Sequence, residues 1–201
     1  MDDGTACPSS PLASAAVLGL AHAVVDLATV ATVYVEVGLA RLPWETVVLA
    51  IVAYDGLAFG LQLPIGLLSD RHRVYRPVMF AGLSLTLAGL CLGVSWPLTA
   101  CVIAGVGNAL FHVGAGALVL VLARGRATEP GLFVAPGALG LTLGIWVGTA
   151  SLSCRWLVAA AVVLSAAVLA RHRIGSTGSE DRPSAPAVGP VALWLSVLAL
   201  L

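Results

Sequence analysis

The 201-residue chain is too apolar for a water-soluble domain, since 59% of its residues are hydrophobic, 10% are charged and the mean hydropathy is +1.01. Soluble domains carry roughly 25% charged residues, so this supply could not cover a water-facing surface. The formal net charge of zero excludes the basic excess that nucleic-acid binding requires.

Six apolar segments follow one another between charged or proline-rich breaks: Pro11–Gly38, Thr46–Leu68, Pro77–Ser95, Pro97–Ala123, Gly131–Ser151 and Leu152–Ala170. A helix needs about 20 mostly apolar residues to span the hydrocarbon core of a bilayer. The sixth segment is the shortest, and it places Arg155 at the membrane interface. Helices are predicted because lipid cannot hydrogen-bond an exposed backbone and the segments are too long for barrel strands.

The predicted fold is therefore an all-α integral membrane bundle of six helices, residues 1–170, followed by the start of a seventh helix. Residues 171–190 are rich in glycine, serine, proline and charge, which predicts a cytoplasmic linker. The apolar run 191–201 is too short to cross a bilayer, so we expect a truncated seventh helix. The acidic N-terminus lacks the basic flank of a signal peptide, and the first segment should be retained.

Arginine placement predicts the orientation of the bundle. All ten basic residues are arginines, and eight of them follow the second, fourth and sixth segments. Only Arg41 and Arg155 fall on the opposite side. By the positive-inside rule, this bias puts the N-terminus and the linker in the cytoplasm of a multi-pass protein of the cell membrane.

The loop between the second and third segments reads Gly66-Leu-Leu-Ser-Asp70-Arg71-His-Arg73-Val-Tyr-Arg76. It resembles the signature loop of the major facilitator superfamily of secondary transporters: Gly, three residues, Asp, a basic residue, any residue, Gly and two basic residues. Gly66, Asp70 and Arg71 match, whereas Arg73 stands at the second Gly. The resemblance implies that the loop latches the two halves of a transporter together. An ordinary basic loop, whose Asp caps the next helix, is the alternative.

Three further stretches are similar to the fosmidomycin-resistance-like efflux branch of that superfamily. They are Gly105-Val-Gly107-Asn108-Ala-Leu-Phe111-His112, the glycine-rich fifth segment, and the polar pair His22 and Asp26 in the first. The resemblance implies the N-terminal half of a twelve-helix transporter, in which the first and fourth helices line a central cavity. Asp26 and His112 would then face one another.

Ionisable residues at membrane depth are costly and therefore point to function. Asp26 and Asp55 fall near the middle of the first and second segments, and Asn108 and His112 bracket the middle of the fourth. The spacing of four from His22 to Asp26, and from Asn108 to His112, puts each pair on one helix face.

One hypothesis is that Asp26 takes up and releases a proton, with His22 or His112 as its partner, because such groups can exchange protons at physiological pH. The other is a fixed hydrogen-bonded network that locks the helices together. Both stay open for Asp26 and His112, whereas a packing role is favoured for His22. Asp55 is expected to face the missing half.

The glycines of the fifth segment recur at three- and four-residue spacing, which predicts a groove for close helix contact: Gly137, Gly140, Gly144 and Gly148. Packing is the first interpretation of this groove. A transporter that rocks could use the same seam.

The predicted function is secondary active transport, with proton-coupled export of small amphipathic or drug-like molecules. The expected partners are the lipid bilayer, the substrate, protons and a C-terminal half or a second copy. An enzyme is disfavoured because no nucleophile–base pair or metal-ligand motif appears, and no cofactor or metal is expected. The remaining alternative is a non-transporting or incomplete half that needs a second half.

Overall fold

The computed structural model describes residues 9–36, 42–149 and 154–174, and within these ranges the chain is helical, without strands. The helices are α1 (Pro11–Ala31), α2 (Trp44–Gly60), α3 (Gln62–His72), α4 (Tyr75–Leu92), α5 (Pro97–Ala123), α6 (Thr128–Thr149) and α7 (Arg155–Arg171). A π-helical turn, Thr32–Glu36, continues α1, and a 3₁₀ turn, Gly93–Ser95, follows α4.

Five helical stretches of the described chain are long and apolar enough to cross a membrane: Pro11–Tyr34, Trp44–His72, Tyr75–Leu92, Pro97–Ala123 and Thr128–Gly148. The described part of the chain is thus all-helical and suited to a membrane. Helix α7 has 17 residues, fewer than the roughly 20 of a full crossing, so the sixth crossing stays a prediction. Most of the linker and the segment 191–201 lie outside the described residues.

The second stretch consists of two helices, α2 and α3, that meet at Leu61. Pro64 lies one turn after Gly60 and has no N–H to donate to that carbonyl. The break in the helix therefore has a local cause.

Helix α1 lies at the centre of the bundle and packs against α5, α6 and α7. Helix α5 packs against α1, α2 and α4. The core between them is built from large apolar side chains, among them Leu18, Val25, Met79, Phe111 and Val162. The predicted site residues of α1 and α5, His22, Asp26 and Asn108 among them, therefore lie inside the bundle.

Glycines set the two closest helix contacts. A Cβ on Gly140 would overlap the backbone of Ala23, so α6 lies directly on α1. A Cβ on Gly82 would overlap the backbone of Phe111, so α4 lies equally close to α5. The predicted groove of α6 is confirmed, and its partner is α1.

One end of the bundle is tied together by polar contacts. Arg76 Nη2, in the first turn of α4, donates to the carbonyls of Leu169 (2.8 Å) and Ala170 (3.3 Å) at the end of α7. Ser14 Oγ, in the first turn of α1, lies 3.0 Å from His172 Nε2. Helices α1 and α4 thus begin where α7 ends.

The loop between α3 and α4 contains a left-handed residue at Arg73, with φ of 55°. This is the position at which the resembled pattern has glycine, the residue that adopts such a conformation without cost. Asp70 Oδ1 accepts a hydrogen bond of 2.9 Å from the hydroxyl of Tyr75 in α4. Asp70 thus contacts the next helix through a side chain, and a Cβ on Gly66 would meet open space.

Candidate functional site

A cluster of polar side chains lies between α1 and α5, inside the apolar bundle. Its members are His22 and Asp26 of α1 and Asn108 and His112 of α5. His22 Nε2 lies 3.0 Å from Asp26 Oδ2 and 2.7 Å from His112 Nε2. Asn108 Nδ2 donates to Asp26 Oδ1 at 3.1 Å, and His112 Nε2 lies 3.5 Å from the same oxygen. The structure thus brings four sequence-predicted residues into one site.

Three residues of the cluster are buried, and the fourth is partly exposed. His22, Asp26 and Asn108 are 5%, 8% and 4% exposed. The side chain of His112 is 21% exposed. His112 is therefore the most exposed member of the cluster by side-chain surface.

The glycines before Asn108 explain how α5 reaches α1. Gly105 contacts the backbone of Tyr54 on α2, and Gly107 contacts the backbone of Thr86 on α4. At these two positions α5 carries no side chain and lies directly against neighbouring helices. The next face carries Asn108 and His112, which consequently point to α1.

Both imidazole rings are fixed by backbone carbonyls. His22 Nδ1 lies 2.9 Å from the carbonyl oxygen of Phe133 on α6, and His112 Nδ1 lies 2.9 Å from that of Asn108. The Phe133 ring stacks on His22, with ring centroids 4.5 Å apart. Gly137 supplies the space for His22, since a Cβ there would overlap its ring.

The network extends towards α2 through two residues that the sequence analysis did not select. Thr29 Oγ1 accepts hydrogen bonds from Tyr54 Oη (3.0 Å) and Asn108 Nδ2 (3.4 Å), and donates to the carbonyl of Val25 (3.0 Å). Thr29 lies seven residues after His22, which places both on one face of α1. This spacing was the available signal.

Asp55 does not join the cluster. It lies on α2 one residue after Tyr54, but its side chain is exposed on the surface of the bundle. Gly66, Asp70 and Arg71 lie further along the same span, on α3. The structure therefore separates the predicted gating loop from the buried cluster, and the roles of both stay predictions.

A second buried carboxylate was missed by the sequence analysis. Glu129, in the first turn of α6, is fully buried and forms an ion pair with Arg126. Its second oxygen, Oε2, has no hydrogen-bond partner among the described residues. Because Glu129 lies next to the predicted loop arginines, its position in the sequence indicated an interfacial residue.

His22, Asp26 and His112 are also close enough together to surround a metal ion. One donor atom from each lies within 4.8 Å of the other two. Two imidazole nitrogens and a carboxylate form a donor set that suits divalent transition metals. The sequence analysis assigned no metal ligands, because the pairing of His112 with α1 depends on the fold.

No protein-family model, no characterised protein and no solved structure matches this chain.

Proposed function

We propose that this chain is a secondary active transporter, built like the N-terminal half of a major facilitator transporter, which exports small amphipathic or drug-like molecules across the cell membrane in exchange for protons. Its N-terminus lies in the cytoplasm. The observation that supports this proposal is the cluster of His22, Asp26 and His112, three ionisable side chains in contact inside helices long and apolar enough to span a bilayer.

The ionisable residues exceed what helix packing requires. A locking network can be built from uncharged groups, as the bonds among Asn108, Thr29 and Tyr54 illustrate. Charged groups at membrane depth are expensive and mark ion or substrate pathways. A carboxylate beside two imidazoles is a suitable place to hold and release a proton.

The glycine contacts are compatible with a transport cycle. Helices α1 and α6 touch through backbone, as do α4 and α5. Small-residue interfaces allow helices to approach closely without interlocking long side chains. The cluster lies between these two helix pairs, where a change of its charge would act on both.

Flux into inside-out vesicles tests the proposal. Ethidium serves as the probe, with an acidic vesicle lumen as the driving gradient, and the native chain is compared with Asp26→Asn. We expect gradient-dependent ethidium uptake by the native chain and its loss in the variant. Asp55→Asn is the matched control. Absence of gradient-dependent flux in the native chain would count against proton-coupled export.

A second candidate is a half that acts only with a second helical body. Asp55 supports it, because an exposed carboxylate near the middle of a membrane span is costly unless protein or water covers it. A cysteine at position 55, in a chain whose other cysteines are replaced by alanine, should cross-link to a partner in membranes. Cysteine at position 163, an exposed site on α7, is the control and should not cross-link.

A further inference from the structure

The hydrogen bonds of the two imidazoles determine where their protons are. A carbonyl oxygen can only accept, so both Nδ1 atoms, of His22 and of His112, must carry hydrogen. A neutral imidazole has one N–H. If both rings were neutral, both Nε2 atoms would therefore present lone pairs.

Two such lone pairs could not face each other as they do here. The Nε2 atoms of His22 and His112 lie 2.7 Å apart, a hydrogen-bonding distance. His22 Nε2 also lies 3.0 Å from a carboxylate oxygen of Asp26, another acceptor. Three acceptors at these distances repel one another unless a positively charged group or a proton lies among them.

We propose that the cluster holds one extra proton, bound to His22 Nε2 and shared with His112 Nε2 and the carboxylate of Asp26. His22 Nε2 is the common atom of the two shortest contacts, so one proton there satisfies both. His22 is then an imidazolium, His112 a neutral acceptor and Asp26 a carboxylate. The inference rests on the proposed function only where it identifies this proton as the one exchanged in transport.

The charge balance of the cluster favours the same assignment. An imidazolium beside a carboxylate has no net charge, whereas loss of the proton leaves an uncompensated carboxylate inside apolar helices, which is more costly. A divalent metal ion would leave the site with a net positive charge. Two imidazole ligands, each about 2.0–2.1 Å from one ion, also lie about 3 Å or more apart, further than these two nitrogens.

No other ionisable side chain of the described chain bonds directly to His22. Helix α6 contributes the Phe133 carbonyl and ring, and its Glu129 is paired with Arg126. Helix α5 contributes His112 and the uncharged amide of Asn108. Helix α2 reaches the cluster only through Tyr54, whose hydroxyl donates to Thr29 of α1.

Loss of the shared proton has a mechanical consequence. The bond between Nε2 and hydrogen breaks, and the proton leaves to a water molecule. The lone pair of His22 Nε2 then faces the lone pair of His112 Nε2 and the carboxylate of Asp26. The resulting repulsion acts to separate α1 from α5, which couples proton release to helix movement.

Nitrogen NMR of the full chain in lipid nanodiscs tests the assignment without any transport assay. The four histidines are labelled with ¹⁵N in the ring, and His72→Gln and His172→Gln assign the two that lie outside the cluster. We expect both ring nitrogens of His22 to be protonated, and Nε2 of His112 to be unprotonated. A scalar coupling between the two Nε2 nuclei, across the hydrogen bond, is the expected signature.

Asp26→Asn and Asp55→Asn complete the test. Removal of the Asp26 carboxylate should discharge His22, whereas Asp55→Asn should leave both rings unchanged. Two neutral rings in the native chain would overturn the proposal, as would metal-bound nitrogen shifts that vanish with a chelator. A failure of ethidium flux with this NMR signature intact would overturn the proposed export and leave the shared proton in place.

Discussion

The spans that contain α1 and α2 each carry an aspartate near the middle, yet the two aspartates have opposite surroundings. In an apolar 18-residue window of the α1 span, 67% of the residues are buried in the bundle. The corresponding share for the α2–α3 span is 17%. Asp26 contacts His22, Asn108 and His112. Asp55 has no hydrogen bond or ion pair within the described part of the chain. A similar sequence feature therefore has its partners among the described helices in one case and none among them in the other.

The difference follows from the faces of neighbouring helices rather than from the aspartates themselves. Helix α1 is covered by α5, α6 and α7, and glycines of α6 let it approach closely. Helix α2 packs mainly against α5 and turns its other side outward, with Leu49, Val52 and Phe59 more than half exposed. Ionisable residues on such an outer side predict a partner, whereas buried ones predict an internal site.

The largest expected effect separates the two aspartates directly. Asp26→Ala removes the carboxylate that balances a buried imidazolium and one of the two acceptors of the Asn108 amide. Breaking a buried charge pair costs about 3–5 kcal/mol, whereas Asp55→Ala removes no contact among the described residues and should not lower the free energy of unfolding. Equilibrium unfolding in mixed micelles measures both. Equal values would remove the distinction between the two sites.

The next effect concerns the space for His22. Gly137→Ala places a methyl group within the imidazole ring, so the ring or α6 must move. Overpacking of this kind costs about 1–3 kcal/mol, and the coupling between the two Nε2 nuclei should disappear. Gly131→Ala, on the same helix with no atoms near its Cβ, should instead stabilise the helix by up to about 1 kcal/mol. Thermal unfolding with NMR distinguishes them, and a harmless Gly137→Ala would contradict the packing described.

A smaller effect is expected where the buried cluster reaches α2. Tyr54→Phe removes the hydroxyl that donates to Thr29, at a cost of about 1 kcal/mol in the free energy of unfolding. The control is Tyr34→Phe, since Tyr34 is exposed and its hydroxyl can bond to water. If both variants unfold alike, the bond to Thr29 contributes nothing, and the cluster ends at Asn108.

The smallest effect concerns the end of α3. Arg73 has a positive φ, and glycine at this position should stabilise the chain by up to about 1 kcal/mol. Arg71→Gly, inside the same helix, should destabilise it by about 1 kcal/mol. Unfolding of the two variants side by side checks the sign. A loss of stability with Arg73→Gly would show that the arginine side chain outweighs its backbone strain.

Helix positions were largely predictable because apolar length determines them. The segment predicted at Pro97–Ala123 coincides with α5, and the third and fifth segments differ from α4 and α6 by a few residues. The break at Leu61 was not predicted. Pro64 was its signal, but a single proline barely changes the mean hydropathy of a long segment, so the hydropathy pattern does not reveal the break.

The candidate site was predictable only along each helix. The spacing of His22 and Asp26 indicated a shared face, because helical geometry is local. The contact between the two histidines depends on how α1 and α5 lie against each other, and their spacing holds no such information. The packing role favoured for His22 stays a prediction, although its ring lies at the centre of the cluster. Glu129 was missed for a similar reason, because its burial depends on the neighbours of α6.

The close contact of His22 with Gly137 links the position of α6 to the protonation of His22. Because the ring fills the space that a Cβ would need, α6 cannot slide along α1 without carrying or expelling the imidazole. By thermodynamic reciprocity, a ligand that shifts α6 must change the affinity of His22 for its proton by the same factor by which that proton changes the affinity for the ligand. A compound that wedges between α1 and α6 should thus change the protonation of His22.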